Sequence, residues 1–324
     1  LAQKRIIKSC DKFIDVSKKT SNQISQISKD FKIDIALDLM GFVNNNRYLI
    51  FSKGCASIQI NYLGYPGTCG PNIMDYIIAD NTLITKETEK FISEKIIYLP
   101  NTYQPNDDKK KISRKEISKK NFNLPENKFI LCSFNRSYKI TSKMFGIWTD
   151  ILKSNDNIVL WLFADNELTK ENLKNEATKL KIDATRLIFV DPISHSEHLA
   201  RHKLADLYID TFPYTGHTTA SDALWTGLPL VTKLGKSFAS RVSASLLKSL
   251  NLEELITQND EEYKKLIINL SNNQSQILKY KEKITKNISK EPLFNSALYT
   301  KNLESALIKA YENNKNNLKE NIKI

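Results

Sequence analysis

The chain has few of the residues that usually mark a reactive centre. Of its 324 residues only four are histidine and four cysteine, with nine glycines and three methionines. Cys10, Cys55, Cys69 and Cys132 form no C-x-x-C pair and no metal-ligand spacing, so no disulfide framework is implied and reduced thiols are expected. No apolar run approaches the roughly 20 residues that cross a bilayer, so no membrane partner is expected. The opening "LAQKRIIKSCDKF" lacks the apolar core and cleavage pattern of a signal peptide, and a cytoplasmic location is expected. The sequence begins at Leu1, inside a helical pattern, which is the expectation for a fragment missing its N-terminal part. No internal repeat with a period of roughly 20 to 50 residues is visible.

What is present fits a globular protein of two domains, with 41% hydrophobic residues and enough length for a large core. The net charge is +12. The lysines are dispersed among Asn, Ile and Ser and form no stripe with aromatics between them, so no nucleic-acid partner is expected.

Two series of short apolar runs stand out. The first is "IDIALDLMG" (33–41), "SIQINYLG" (57–64), "DYIIAD" (75–80) and "KIIYLP" (95–100), bounded by turn residues or charges as strands are. Residues 103–120, "YQPNDDKKKISRKEISKK", are Pro-marked and charged with little to bury, and read as a linker. The second series is "KFILCSF" (128–134), "NIVLWLF" (157–163), "RLIFV" (186–190), "DLYID" (206–210) and "PLVT" (229–232). Helical patterns alternate with it, among them "NLKNEATKLK" and "SFASRVSASLLKSL", where Phe238, Val242 and Leu246 share one face. Strands apolar on both faces and alternating with helices predict a buried parallel sheet and a Rossmann-like second domain. The tail from Asn295 to Tyr311 reads as a docked terminal helix.

All four histidines fall between His195 and His217. In "HSEHLARH" three of them crowd together, yet H-E-x-x-H is absent, no acidic ligand is suitably placed and no metal is expected. His198 and Arg201, three residues apart, share a helical face that fits a base or phosphate, or else plain solvent. The stretch "LYIDTFPYTGHTTASDALWTG" has the grammar of strand, loop and helix start, which is where open α/β sheets take ligands. Thr219 and Asp222 resemble the two ends of a capping box. Gly216 to Thr219 then lies at the positive end of a helix, with Thr hydroxyls and His217 as further donors, and a diphosphate fits there. An ordinary capped helix is the equal alternative. "SFNRSYKI" places Lys139 after a strand, where an ammonium balances the charge of a departing diphosphate. "NYLGYPGTCGP" is the densest glycine segment and permits close backbone approach, although it lacks the G-x-G-x-x-G spacing.

Five segments in register, "LGYPGTCG…MDYIIAD", "LPENKFILCSFNRSYKI", "RLIFVDPISHSEHLARHKLADLYIDT", "GHTTASDALWTGLPLVT" and "ASRVSASLL", closely resemble the catalytic region of the O-GlcNAc transferase and SPINDLY family. The resemblance runs from Phe13 to Tyr311. It implies a metal-independent glycosyltransferase of the GT-B type: an α/β protein of two Rossmann-like domains with a cleft between them, the first incomplete at its N-terminus. The sequence contains no D-x-D, in keeping with that. The implied division is a partial N-terminal catalytic lobe (1–103), a linker (104–120), a nucleotide-sugar-binding lobe (121–290) and a C-terminal helical segment (291–324) packing back toward the first lobe.

The resemblance implies no cofactor beyond the donor substrate, UDP-GlcNAc by preference, and protein Ser/Thr hydroxyls as acceptors. Lys139 resembles the family's essential lysine on the diphosphate, with Asn135 nearby and His217 as a second catalytic group. His198 and Arg201 resemble the groups at the base and phosphate. His217, Thr218 and Thr219 resemble the diphosphate cradle, and Asp222 the carboxylate on the ribose. Gly64, Tyr65 and Pro66 resemble the sugar-side loop, with Tyr214 where animal enzymes carry cysteine. Arg136 stands where those enzymes usually have glutamine. The histidine long considered as a base in the family lies upstream of this chain. Tetratricopeptide repeats that choose the acceptor usually precede this region in the family and are expected upstream. The alternatives are a SPINDLY-type O-fucosyltransferase using GDP-fucose, and a non-catalytic nucleotide-binding remnant.

Overall fold

The computed structural model describes residues 2–324; Leu1, where the sequence reading starts its first helix and first lobe, lies outside them. Its contacts divide the chain into two compact units. One comprises the residues up to Ile78 together with 91–97 and 305–323; the other comprises 79–90 and 98–304, with Ile324.

The first unit is built on a five-stranded sheet, β1 (Ile35–Asp38), β2 (Ile58–Asn61), β3 (Tyr76–Asp80), β4 (Lys95–Leu99) and β11 (Ile322–Lys323), in that spatial order. β1 pairs β2 and β2 pairs β3 in parallel, with Asp38 beside Asn61 at the carboxyl ends. The helices are α1 (Ala2–Ser9), α2 (Ser21–Asp30) and α3 (Leu49–Ser52). α2 opens with a capping box in which Thr20 and Gln23 satisfy each other's backbone N–H. β11 was not expected; at two residues it is too short for any pattern to register, yet Ile322 is fully buried.

The second unit carries a six-stranded sheet whose recorded pairings are all parallel. Its strands are β5 (Phe129–Ser133), β6 (Ile158–Phe163), β7 (Leu187–Val190), β8 (Leu207–Ile209), β9 (Leu230–Lys233) and β10 (Ile256–Thr257). Their spatial order is β10-β9-β8-β5-β6-β7. Counted from β5 as first, that is the doubly wound order 3-2-1-4-5-6, with its reversal point between β5 and β8. The run "IVLWLF" of β6 is buried on both faces up to its last residue, as a sheet covered by helices requires.

The covering helices are α4 (Ser142–Ser154), α5 (Glu167–Lys179), α6 (His195–Arg201), α7 (Thr218–Trp225), α8 (Val242–Lys248), α9 (Asp260–Ser271) and α10 (Gln274–Ile288), while α11 (Ser296–Lys315) belongs to this unit up to Glu304 and to the first unit from Ser305 on. In α4, Thr141 caps the start by accepting from Met144 N at 3.2 Å, and Met144, Phe145, Trp148, Ile151 and Leu152 form its buried face. Trp148 and Trp161 are among the largest fully buried side chains, and truncating either to alanine costs about 3–5 kcal/mol.

Two local expectations need correction. Phe238, Val242 and Leu246 are all buried, but on two elements: a 3₁₀ turn ends at Ser240 and α8 starts after Arg241. The segment after Tyr103 does not lie loose. Tyr103, Gln104 and Asn106 are buried, and Asn106 Nδ2 donates to Leu293 O at 3.2 Å.

Among the described residues no helix is long and apolar enough to cross a membrane, and no group of three or more His, Cys, Asp or Glu could hold a metal ion.

Candidate active site

The reversal point between β5 and β8 is where loops diverge to opposite faces of the sheet and leave a crevice at the strand ends. Asn135, just past β5, reaches across it. Its Nδ2 donates to Asp210 Oδ1 at 3.2 Å and to Thr211 Oγ1 at 3.0 Å, both just past β8. Its Oδ1 accepts from Thr219 Oγ1 on α7 at 2.5 Å.

Asp210 organises the loop. Its Oδ1 also accepts from Thr211 N at 2.9 Å and Gly216 N at 2.7 Å, and its Oδ2 accepts from Thr232 Oγ1 at 2.7 Å. Burial pushes its pKa up; hydrogen bonding by Ser243, Thr232 and Gly216 N, then the charge of Lys139, opposes that. Ser243 Oγ donates to Gly216 O at 2.7 Å and Thr215 Oγ1 to Ala239 O at 2.8 Å, so the backbone of residues 215–216 is tied on both sides. Gly216 leaves little room for a side chain: a Cβ would stand 3.0 Å from Ala220 Cβ and from Thr219 Oγ1, so its neighbours would have to give by a few tenths of an ångström.

Lys139 ends a 3₁₀ turn after β5 and points into this loop. Its Nζ donates to Thr215 O at 2.9 Å and stands 3.8 Å over the ring of Tyr214. Among the described residues no carboxylate forms an ion pair with it; burial pushes its pKa down to about 8, with Asp210 opposing. The tyrosine ring in turn lies 5.1 Å from His217. Burial, then the charge of Lys139, pushes His217 down to about 3, so the ring is neutral at ordinary pH, and its Nε2 is buried without a partner.

α7 begins at Thr218 with His217 as its N-cap residue and no side-chain cap. The capping box read from Thr219 and Asp222 is therefore not formed. Thr219 is drawn to Asn135, and Asp222 to Lys110 and His195, at 2.7 and 3.1 Å. A helix start that no side chain caps keeps its N–H groups and its partial positive charge for another acceptor. Thr218 is exposed beside it.

On the other side of β5, Phe134 is ringed by aromatics and a cation. His198 lies at 5.4 Å and His202 at 5.0 Å by ring centroids, and the Arg201 guanidinium lies 4.9 Å over the ring. Arg201 is only 2% exposed and donates to Asp191 O at 2.9 Å, so the solvated-face alternative does not hold for it. Its Nε and the Nε2 of His202 are buried without partners. Burial pushes Arg201 down to about 10, and burial followed by neighbouring positive charge pushes His198 down to about 3.

Lys139, Asn135, Tyr214, His217, Thr218 and Thr219 thus gather at one point of one sheet edge, with Asp222 further along α7 and His198 and Arg201 on α6 of the same unit. Gly64, Tyr65 and Pro66 belong to the first unit. There the absent Cβ of Gly64 serves the protein's own packing, since it would stand 2.2 Å from Leu39 O. Tyr65 sits edge-on to Phe42 at 5.4 Å. The sequence reading missed Asp210, Lys110 and Phe134 as site residues. Only Asp210 carried a signal, as an acidic residue closing an apolar strand.

A family model described as glycosyl transferase family 41 matches residues 2–119 and 107–303. The chain is 32% identical over 315 residues to an Arabidopsis thaliana protein named probable UDP-N-acetylglucosamine–peptide N-acetylglucosaminyltransferase SEC, covering 95% of this chain and 32% of that protein. It is 28% identical over 305 residues to a Petunia hybrida protein of the same description named SPINDLY, covering 93% of this chain and 32% of that one. The chain spans about a third of the length of these curated relatives. Among solved structures, a mutant of Thermobaculum terrenum O-GlcNAc transferase superposes with a TM-score of 0.85 at 24% identity, over 96% of this chain and 59% of that one. A glycosyltransferase from Rickettsia africae superposes with a TM-score of 0.61 at 15% identity, over 92% and 82%. At these identities the two structures show a shared fold, that of GT-B transferases in the first case.

Proposed function

This chain belongs to glycosyl transferase family 41, and from that membership we propose that it carries the donor-binding and transfer machinery of a protein O-glycosyltransferase. The reaction is transfer of a sugar, GlcNAc by preference, from a nucleoside diphosphate to Ser or Thr hydroxyls, without a metal ion. The observation that carries it is Lys139: a desolvated ammonium with no carboxylate ion-pair partner among the described residues, aimed at the loop that leads into the uncapped start of α7.

Both groups offer positive charge to one place, and both gain most when an anion arrives. As the bond from the sugar's anomeric carbon to the diphosphate breaks, negative charge accumulates on the departing oxygen. Preorganised positive groups in a water-poor site stabilise that charge more than they stabilise the intact donor. Asn135 and Asp210 hold the 211–217 loop in the shape that brings ammonium and helix end together. Thr218, Thr219 and neutral His217 supply hydrogen bonds to the phosphates. His198 supplies a partly exposed ring beside Phe134 for the base, the buried Arg201 guanidinium adds positive charge near it, and Asp222 takes the ribose. The printed names of the relatives favour UDP-GlcNAc as donor.

Thermal shift with UDP and with GDP tests the nucleotide. A ligand that binds only the folded chain stabilises it by about 2.7 kcal/mol at a hundred times its Kd. UDP is expected to give the larger shift. A larger shift with GDP turns the reading to fucosyl transfer, and no shift with either removes it. Incubation with radiolabelled UDP-GlcNAc and a Ser/Thr peptide then separates a transferase from a nucleotide-binding remnant.

A further inference from the structure

The charged segment before β5 delivers a side chain to the same helix as the proposed ribose carboxylate. Lys110 Nζ lies 2.7 Å from Asp222 Oδ1, with the two side chains only 10% and 5% exposed. The contact is pinned through the main chain: Trp225 Nε1, one turn beyond Asp222 on α7, donates to Lys110 O at 3.2 Å. Three residues on, Ser113 N donates to Ser196 O on α6 at 2.9 Å. The segment is thereby fastened both to α7, which carries Asp222, and to α6, which carries His195. His195 Nε2 approaches the other oxygen of Asp222 at 3.1 Å.

A carboxylate offers about four lone-pair positions, two on each oxygen. Lys110 and His195 engage one oxygen each, which leaves one position free on each. We propose that Lys110 is a positioning residue of the nucleoside subsite: with His195 it fixes the plane of Asp222 so that the two remaining positions receive the vicinal hydroxyls of a ribose. It also neutralises a buried negative charge that would otherwise stand unpaired close to where an anionic diphosphate is to bind. The inference rests on the reading of Asp222 as the ribose carboxylate.

The test compares UDP with 2′-deoxy-UDP by calorimetric titration of the wild type, Lys110→Met and Asp222→Asn. The wild type is expected to prefer UDP by about tenfold or more, the worth of a hydrogen bond to a charged group. Lys110→Met keeps the aliphatic stem and is expected to lose most of that preference while still binding the deoxynucleotide within about threefold of wild type. Lys110→Ala, which leaves room for water beside Asp222, is read the same way if the methionine variant does not fold. An unchanged preference in the lysine variant, with the preference lost in Asp222→Asn, overturns the role of Lys110 alone. Tighter UDP binding by the lysine variant also overturns it, since Lys110 then competes with the ribose. If the wild type or Asp222→Asn shows that the carboxylate never distinguished the two nucleotides, the ribose reading falls and the inference with it.

Discussion

The two ends of the six-stranded sheet use the same kinds of residue in opposite ways. At the amino ends of β5, β6 and β7, Arg186 spends its guanidinium on the fold. Nε donates to Ile158 O at 3.0 Å, and Nη2 donates to Leu152 O and Asn155 O, both at 2.7 Å, and to Ile158 O at 2.8 Å. Asp206 likewise accepts from Ile130 N at 2.8 Å. A groove of about 1070 Å³ opens at this end, lined by Leu124, Val159, Ile182 and Ile188 together with four lysines and Arg186, and the Arg186 guanidinium within it is already satisfied. At the carboxyl ends, Lys139 has one carbonyl and a ring, and His217, Arg201 and His202 each bury a nitrogen that nothing meets. Buried polar atoms without partners cost stability. The two ends of one sheet thus differ in how far their buried polar groups are satisfied, and the less satisfied end is the one where we propose that a ligand binds.

The sharpest way to break this comparison is Lys139→Met. The ammonium is desolvated in the unliganded protein, so its removal is expected to leave the melting temperature within a few degrees or raise it. Sugar transfer is expected to fall by at least about a thousandfold, the scale of losing one preorganised charge-stabilising group. Measured transfer near the wild-type level would place the leaving-group cation elsewhere.

The mirror experiment is Arg186→Met, which deprives the carbonyls of Leu152, Asn155 and Ile158 of a donor. Three acceptors left short in a half-buried site predict a loss of about 3 kcal/mol. All three tryptophans, Trp148, Trp161 and Trp225, lie in this unit, so intrinsic fluorescence during urea unfolding reads it directly. Nucleotide affinity at low denaturant is expected to stay within about twofold of wild type. A large loss of affinity without loss of stability would mean that the two edges are not separate in role.

Sequence patterning made the cohesive half of this picture legible. The apolar runs of β5 to β9 mark buried strands because side chains covered on both faces must be apolar, and that property is local. For the candidate site, residue types and their place in the chain were legible, since strand ends followed by Gly, His and Thr are where open α/β sheets take ligands. The partners of those residues were not. Thr219 reads as a cap, yet it bonds to Asn135, 84 residues away in the chain, and Asp222 pairs with Lys110, 112 residues away. A short polar side chain at a helix start chooses between its own backbone and whatever the tertiary fold brings near, and no local pattern carries that choice. In residues 103–120 the burial of Tyr103, Gln104 and Asn106 and the pairing of Lys110 escaped the reading for the same reason: a charged composition says nothing of a lysine whose counter-ion comes from another element.

The smallest expected effect is also the one that ties the open edge to a titration. Burial lowers the Lys139 pKa from its ordinary 10.5 to about 8. If the ammonium is the form that meets the diphosphate, the unliganded protein must take up a proton to bind above that pH, and the nucleotide Kd is expected to rise there by up to tenfold per pH unit. The second phosphate ionisation near pH ~6 sets the lower limit of the plateau. His217 and His198, held down at about 3, add no step within it. The same shift acts on folding with the opposite sign: between about 8 and 10.5 the unfolded chain holds the proton that the folded chain has released, so the lysine's contribution to unliganded stability rises with pH across that window. A melting temperature followed over the same pH range separates weaker binding from unfolding, and Lys139→Met should abolish the upper limb. Isothermal titration at several pH values between 6.5 and 9.5 decides it: a Kd that stays flat throughout removes Lys139 from the phosphate site.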